Sequence, residues 1–263
     1  MQNNYVIDVT NQVDNKFSKS LNLIAQDLES IVNLESRIRQ IVLRGGAVVD
    51  LLLGLEPNDY DLFYSYEENG KTIEECRCSD VQKAVDKTKF SYFDKQKVEL
   101  ENSYEKEPKA EPIERTCDLI SFHTSSVNMF CVDQKGHVWT NKETWSQFQN
   151  NICEIRYEGM LPWAYFPRPN DSHDYFAFMC YEIIRSLSYL SKRNFNAGPK
   201  LTILLEHAPY FVEHGILRKG QEGFKKYSKG KGVTKEAIET VISKLMLNDL
   251  SKNNVTKALI RLC

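Results

Sequence analysis

The chain has 263 residues, 41% hydrophobic and 27% charged, with 12 glycines and 8 prolines. That length and balance exclude a disordered, collagen-like or membrane-embedded chain and leave room for one large domain or two modest ones. With 34 Lys and Arg against 36 Asp and Glu the formal net charge is -2, so no global basic field draws the protein to nucleic acid or anionic lipid, and a polyanion must be met by a local patch. Seven cysteines without a repeated spacing, and an opening MQNNYVIDVTNQ without the marks of a secretory leader, point to a reducing, cytoplasmic setting. Cys76-Arg77-Cys78 is the single close pair and falls short of a zinc ligand set.

From Asn15 to Ile31, apolar residues at Phe17, Leu21, Ile24, Leu28 and Ile31 recur in steps of three and four, predicting an amphipathic packing helix. Ile38 to Leu43 ends at Arg44-Gly45-Gly46 and is followed by Ala47 to Leu53 and Gly54, which reads as strand, diglycine turn and a short helix closed by a left-handed Gly54. After a turn at Glu56-Pro57-Asn58, Asp59 to Tyr66 reads as a second strand whose two carboxylates, two positions apart, share one face. A polar turn at Glu67 to Gly70 and a helix around Ser79 to Val85 come next. Lys95 to Glu111, rich in Glu and Lys with few apolar positions, is expected to be a variable, partly mobile excursion. Arg115 to Phe122 predicts a third strand with Asp118 near its start. Pro162, Pro167 and Pro169 place a boundary between residues 155 and 172, giving a head at 1–155 and a helical part at 156–263. The basic stretch from Arg218 to Gly232, with Phe224 and Tyr227 interleaved, reads first as a solvated mobile loop and second as a path for an RNA backbone.

The chemistry sits in the diglycine turn, the short helix and the Asp-x-Asp strand. Glycines at a turn into a helix let backbone amides approach a phosphate, and the helix N-terminus adds a favourable dipole. Two carboxylates on one strand face, joined by a third from a neighbouring strand, suit a pair of divalent metals. In this reading Asp59, Asp61 and Asp118 are the catalytic metal ligands and Gly45 and Gly46 cradle a triphosphate. Glu114 and Asp133 remain alternatives for the third carboxylate, and Asp50 is read as fixing the local helix. Arg185, among Ile183, Ile184, Leu187 and Leu190, either lines a nucleotide pocket or pairs with Glu182. Trp139, Trp145 and Trp163 read as packing residues, and the five histidines lack metal-type spacing.

Leu43-Arg44-Gly45-Gly46-Ala47-Val48-Val49-Asp50-Leu51-Leu52-Leu53-Gly54, then Leu55 to Asn58, then Asp59-Tyr60-Asp61-Leu62, resembles the signature of the polymerase-beta nucleotidyltransferase superfamily, in the branch of tRNA CCA-adding enzymes and bacterial poly(A) polymerases. Weaker similarity continues through Cys117 to Phe122, Val127 to Gly136 and the helix around Tyr181 to Leu187. The resemblance implies an α/β (α+β) head with a small mixed sheet, followed by an all-helical domain like the family's neck and body. It further implies Mg2+ or Mn2+, a nucleoside triphosphate as substrate, and the 3′ end of an RNA such as tRNA as acceptor, with no membrane partner. Val49 stands where the family has an arginine, so Arg44 or a lysine takes over that contact. His123-Thr124-Ser125-Ser126 replaces the family's Arg-Arg-Asp, and Asp171 to Met179 holds no clear Glu-Asp-x-x-Arg base-reading motif. These departures leave two other readings open: transfer to a protein or small molecule, and a non-catalytic nucleotide- or RNA-binding relative.

Overall fold

The computed structural model describes residues 6–68, 71–72, 78–102, 127, 129–155 and 175–263. After β1 (Val6–Asp8), the three-and-four stripe forms α1 (Asn15–Leu34). Phe17, Leu21, Ile24, Leu28 and Ile31 are all buried, and removing each such side chain from water contributes roughly 1.5–3 kcal/mol. The Asp14 carboxylate caps the helix by accepting from the Phe17 amide at 2.8 Å.

β2 (Ile38–Arg44), α2 (Gly46–Leu52) and β3 (Tyr60–Glu68) follow in the predicted order, with Gly54 left-handed at φ 72°. β3 continues through Glu67 and Glu68, where β4 (Lys71–Thr72) pairs with it. α3 (Cys78–Lys87) covers the expected helix. The excursion expected from Lys95 is corrected at its start, because β5 (Val98–Asn102) is a strand running parallel to β3. Val98 and Leu100 are half-buried while Glu99 between them is exposed, a period-two pattern that the surrounding charges obscure. Residues 103–126, including the predicted third strand and Asp118, lie outside the described residues. β6 (Cys131–Asp133) and β7 (Val138–Asn141) make an antiparallel hairpin.

Strand order is β1-β7-β6-β2-β3-β4, with β5 beside β3. Among the described strands of this sheet the β3–β5 pairing is parallel and the others antiparallel, so the sheet is mixed. Ile41, Leu43, Leu62 and Tyr64 are buried on one face; Val42, Phe63 and Cys131 form a small core on the other, with Val6 and Trp139 against it. The segment between α3 and β5 is tied to α1 by Asp27, which is 1% exposed. Its carboxylate accepts from the amides of Ser91, Tyr92 and Phe93 at 2.7, 2.7 and 2.9 Å, which is what makes a buried charge tolerable. The Phe93 ring then packs 5.0 Å from that of Tyr60.

The chain divides into two compact units at Ser146 and Gln147, within α4 (Lys142–Gln149). In the second unit β8 (Ile152–Cys153) and β9 (Asn196–Ala197) form a short parallel pair. The helices are α5 (Tyr175–Lys192), α6 (Pro199–Glu206), α7 (Ala208–Lys219), α8 (Glu222–Lys231), α9 (Lys235–Lys244) and α10 (Asp249–Ile260). α5 packs on α7, α8 and α9. Gly215 permits the close passage of α7, since a Cβ there would lie 2.6 Å from the Cys180 sulfur. α8 corrects the expected mobile loop: Phe224 is fully buried, the Ser228 hydroxyl donates to the Leu262 carbonyl at 2.8 Å, and Gly232 ends the helix in a left-handed cap. Among the described residues no helix is long and apolar enough to cross a membrane.

Candidate active site

The site begins at the end of β2. Gly45 adopts φ 77° and ψ -137°, a conformation open in practice only to glycine. Its amide donates to the Phe130 carbonyl at 3.1 Å, and its carbonyl accepts from the Val48 amide at 3.1 Å, opening α2. The amides of Gly46 and Ala47 come too early in α2 for an intrahelical acceptor, and Gly46 is half-buried at the turn. Asp50 is buried, and its backbone carbonyl accepts from Leu53 and Leu55.

Pairing register sets the rest. Trp139, Cys131, Arg44, Asp61 and Glu99 stand opposite one another in turn across β7, β6, β2, β3 and β5, so they form one row on one face of the sheet. Asp59 enters the same face two positions before Asp61. The result is a cluster in which one carboxylate oxygen from each of Asp59, Asp61 and Glu99 lies within 4.8 Å of the others. Asp59 and Asp61 are half-buried and Glu99 is exposed. Three like charges at that range repel one another unless a cation joins them, and an all-oxygen donor set fits a hard divalent ion such as Mg2+ or Mn2+.

Sequence reasoning missed Glu99. The alternation Val98-Glu99-Leu100 is the signal that locates it. Asp118 and Glu114 lie outside the described residues. Asp133, the other alternative, is committed to its own turn, accepting from the amides of Lys135 and His137 at 2.9 Å each and from the Trp139 indole at 2.8 Å. Beside the cluster, the Lys97 ammonium bonds to the Glu56 carboxylate at 2.7 Å and the Pro57 carbonyl at 3.4 Å. That clasp joins the turn before Asp59 to the start of the strand bearing Glu99, and the Glu56 bond raises the pKa of Lys97.

Arg44 is 3% exposed and its guanidinium lies 4.3 Å from the centroid of the Phe63 ring, a cation–π contact inside the sheet face. Burial pushes the neighbouring Cys131 thiol up against the opposing influence of Arg44, so that sulfur stays protonated and is no nucleophile. Arg185, in the second unit, bonds to Glu182 at 2.5 Å and to the Tyr227 hydroxyl at 3.3 Å. The ion pair with Glu182 is therefore the role the structure contains for it. The Trp145 indole donates to Gln12; Trp163 lies outside the described residues.

No protein-family model matches the chain. No curated protein matches it either. Solved structures do: a CCA-adding enzyme in an apo form is similar at TM-score 0.50 and 15% identity, over 97% of this chain and 54% of that one. A CCA-adding enzyme in complex with CTP gives 0.51 and 15%, over 97% and 55%; one in complex with ATP gives 0.51 and 16%, over 99% and 55%. The fold, a mixed sheet with helices followed by a helical part, is thus one that occurs in CCA-adding enzymes. At these identities the likeness is one of fold, and the chain spans about half the length of the enzymes it matches.

Proposed function

We propose that this chain is a nucleotidyltransferase that moves a nucleoside monophosphate from a nucleoside triphosphate to the 3′ hydroxyl of an RNA, releasing pyrophosphate. The observation that carries the reading is the cluster of Asp59, Asp61 and Glu99 within 4.8 Å, set beside the Gly45 turn on the same sheet. Support for the nucleotide comes from the fold-mates, CCA-adding enzymes in complex with CTP and with ATP, and the RNA acceptor follows from the resemblance of residues 43–62 to that branch. In this reading residues 1–155 are the catalytic head and 156–263 a helical neck- and body-like part, in a cytoplasmic protein.

Asp59, Asp61 and Glu99 would hold Mg2+ or Mn2+, with Asp118 a further candidate. A divalent ion there supplies a lowered pKa for the acceptor hydroxyl and neutralises charge on the leaving pyrophosphate. The turn at Gly45 and Gly46 is read as receiving the triphosphate through the amides of Gly46 and Ala47, since that of Gly45 is held by the Phe130 carbonyl. Arg44, opposite Asp61 on the same sheet face, is the cation read as serving the nucleotide. The protein contributes position and electrostatics and performs no covalent step of its own.

The test is incubation with each labelled nucleoside triphosphate, a pool of small RNAs including tRNA, and magnesium or manganese. Label appears on RNA with the native protein and not with Asp59→Ala or Asp61→Ala, both variants remaining folded by circular dichroism. Label on RNA undiminished in those variants, label on protein or a small molecule, or nucleotide binding without turnover would each overturn the assignment.

A further inference from the structure

Resting on that reading, we infer that the outer face of α8, centred on Lys226 and Lys229, holds the phosphodiester backbone of a single RNA strand. α8 carries Lys225, Lys226, Lys229 and Lys231 against one acid, Glu222, a concentration of positive charge in a chain whose net charge is -2. Its inner side is fixed by Phe224 and Ser228, both buried. Lys226 and Lys229 are exposed on the opposite side, three positions apart and hence neighbours on the helix surface.

Among the described residues no carboxylate holds either lysine, whereas Lys225 is engaged by Glu222 at 3.4 Å. Bare backbone flanks them. A Cβ at Gly230 would meet nothing within 4 Å, and one at Gly223 would meet the Tyr181 hydroxyl at 3.6 Å as its nearest neighbour. A chain of phosphates can therefore approach the helix without displacing a bulky side chain.

Helix ends explain part of this charge. Lys229 and Lys231 in α8 and Lys192 in α5 lie in the last turns, where the carbonyl ends of the two helices favour cations. Lys226, in the middle of α8, has no such explanation. Two further cations of the second unit sit on rings: the Lys231 ammonium lies 5.7 Å from the Tyr227 ring and the Arg193 guanidinium 4.4 Å from the Tyr189 ring. The Ser188 hydroxyl, donating to the Lys231 carbonyl at 2.9 Å, ties α5 to the end of α8.

The chemistry of the face selects its partner. It offers point charges and backbone, with no apolar anchor, since Phe224 is buried and Tyr227 is engaged by Arg185. A folded acidic protein would need apolar complement at such a surface; a flexible strand of phosphates needs charge and access. Because no base is touched, the contact is indifferent to sequence.

The experiment is fluorescence anisotropy of a labelled oligoadenylate with the full chain across a salt series, for native protein, Lys226→Ala/Lys229→Ala and Asp59→Ala/Asp61→Ala. The double lysine variant is expected to lose affinity roughly tenfold at low salt, and its salt dependence to flatten by about 1.4 in log–log slope, 0.7 for each released phosphate contact. Oligocytidylate loses affinity equally. The double aspartate variant keeps the native slope. An unchanged slope in the lysine variant, no binding of oligoadenylate by the native protein, or equal competition by polyglutamate of matched charge would each overturn the proposal. If native protein transfers label to RNA while the lysine variant keeps the native slope, this surface is wrong and the nucleotidyltransferase reading stands. If the slope flattens and no label is transferred, that reading fails and the surface stands.

Discussion

Replacing Glu99 by Gln tests whether the third carboxylate of the cluster comes from β5. At 4.8 Å, the outer limit of the cluster, two unit charges repel by about 0.9 kcal/mol in water and about 3.5 kcal/mol at an effective dielectric of 20. Glu99 is exposed, so the lower figure applies, and removing its two repulsive pairs relieves about 2 kcal/mol. In chelator, Glu99→Gln is therefore expected to be more stable than the native protein, and its melting temperature higher by about 2–4 °C for each kcal/mol. Magnesium or manganese reverses the order, because a bound ion stabilises the native cluster through mass action and the variant has lost a ligand. Thermal unfolding followed by tryptophan fluorescence, with and without metal, reads both effects. Asp118→Asn in parallel decides between the two carboxylates. A metal-induced shift retained by Glu99→Gln and lost in Asp118→Asn would refute the geometric argument, and so would a Glu99→Gln protein destabilised in chelator.

Other substitutions probe the frame that holds the site. Gly45→Ala forces a side chain onto φ 77° and ψ -137° and is expected to cost about 1–3 kcal/mol, read from the urea midpoint; no change would mean that the turn relaxes freely. Asp27→Ala strands the three amides of Ser91, Tyr92 and Phe93, a loss of about 3 kcal/mol that should appear as faster hydrogen exchange at those amides. Arg37 bonds Glu35 at 2.7 Å and Asp80 at 2.9 Å. The Arg37 bond lowers the pKa of Glu35, and Lys83 and then Arg37 lower that of Asp80, from ordinary values of 4.5 and 3.8. Depressed carboxyl pKa values stabilise above the unfolded range, and that stabilisation is lost as pH falls through the folded values. Arg37→Ala should thus be less stable than native protein at neutral pH and converge with it in acid, as urea midpoints across that range will show.

What the sequence made legible was contiguous. Gly45, Gly46, Asp59 and Asp61 sit within one short stretch, where strand, turn and helix each have a local signature, and the buried stripe of α1 follows from spacing alone. Glu99 was hidden because its strand is defined by a distant partner. Val98 and Leu100 are only half-buried, and the Lys and Glu around them resemble a solvated segment until β3 is seen alongside. α8 was misread for a related reason: four lysines and two glycines outweigh Phe224 in composition, while in the folded chain the burial of Phe224 and Ser228 decides the matter. Arg185 shows a third limit, since its partner Glu182 was visible one turn away and nothing in the sequence could weigh that ion pair against a nucleotide.

The parallel pairing of β5 with β3 has a kinetic consequence. Asp61 meets Arg44 through an antiparallel pairing closed over α2 and its flanking turns, whereas Glu99 reaches Asp61 only after the chain has passed through β4, α3 and the segment held by Asp27. Loop closure of that kind is slow and comes after local contacts have formed. The two aspartates are therefore assembled before their third partner arrives, and among the described residues β5 has β3 as its one strand neighbour. Opening of β5 alone would dissolve the cluster while leaving the rest of the sheet intact, so an ion bound there and the strand would hold each other in place.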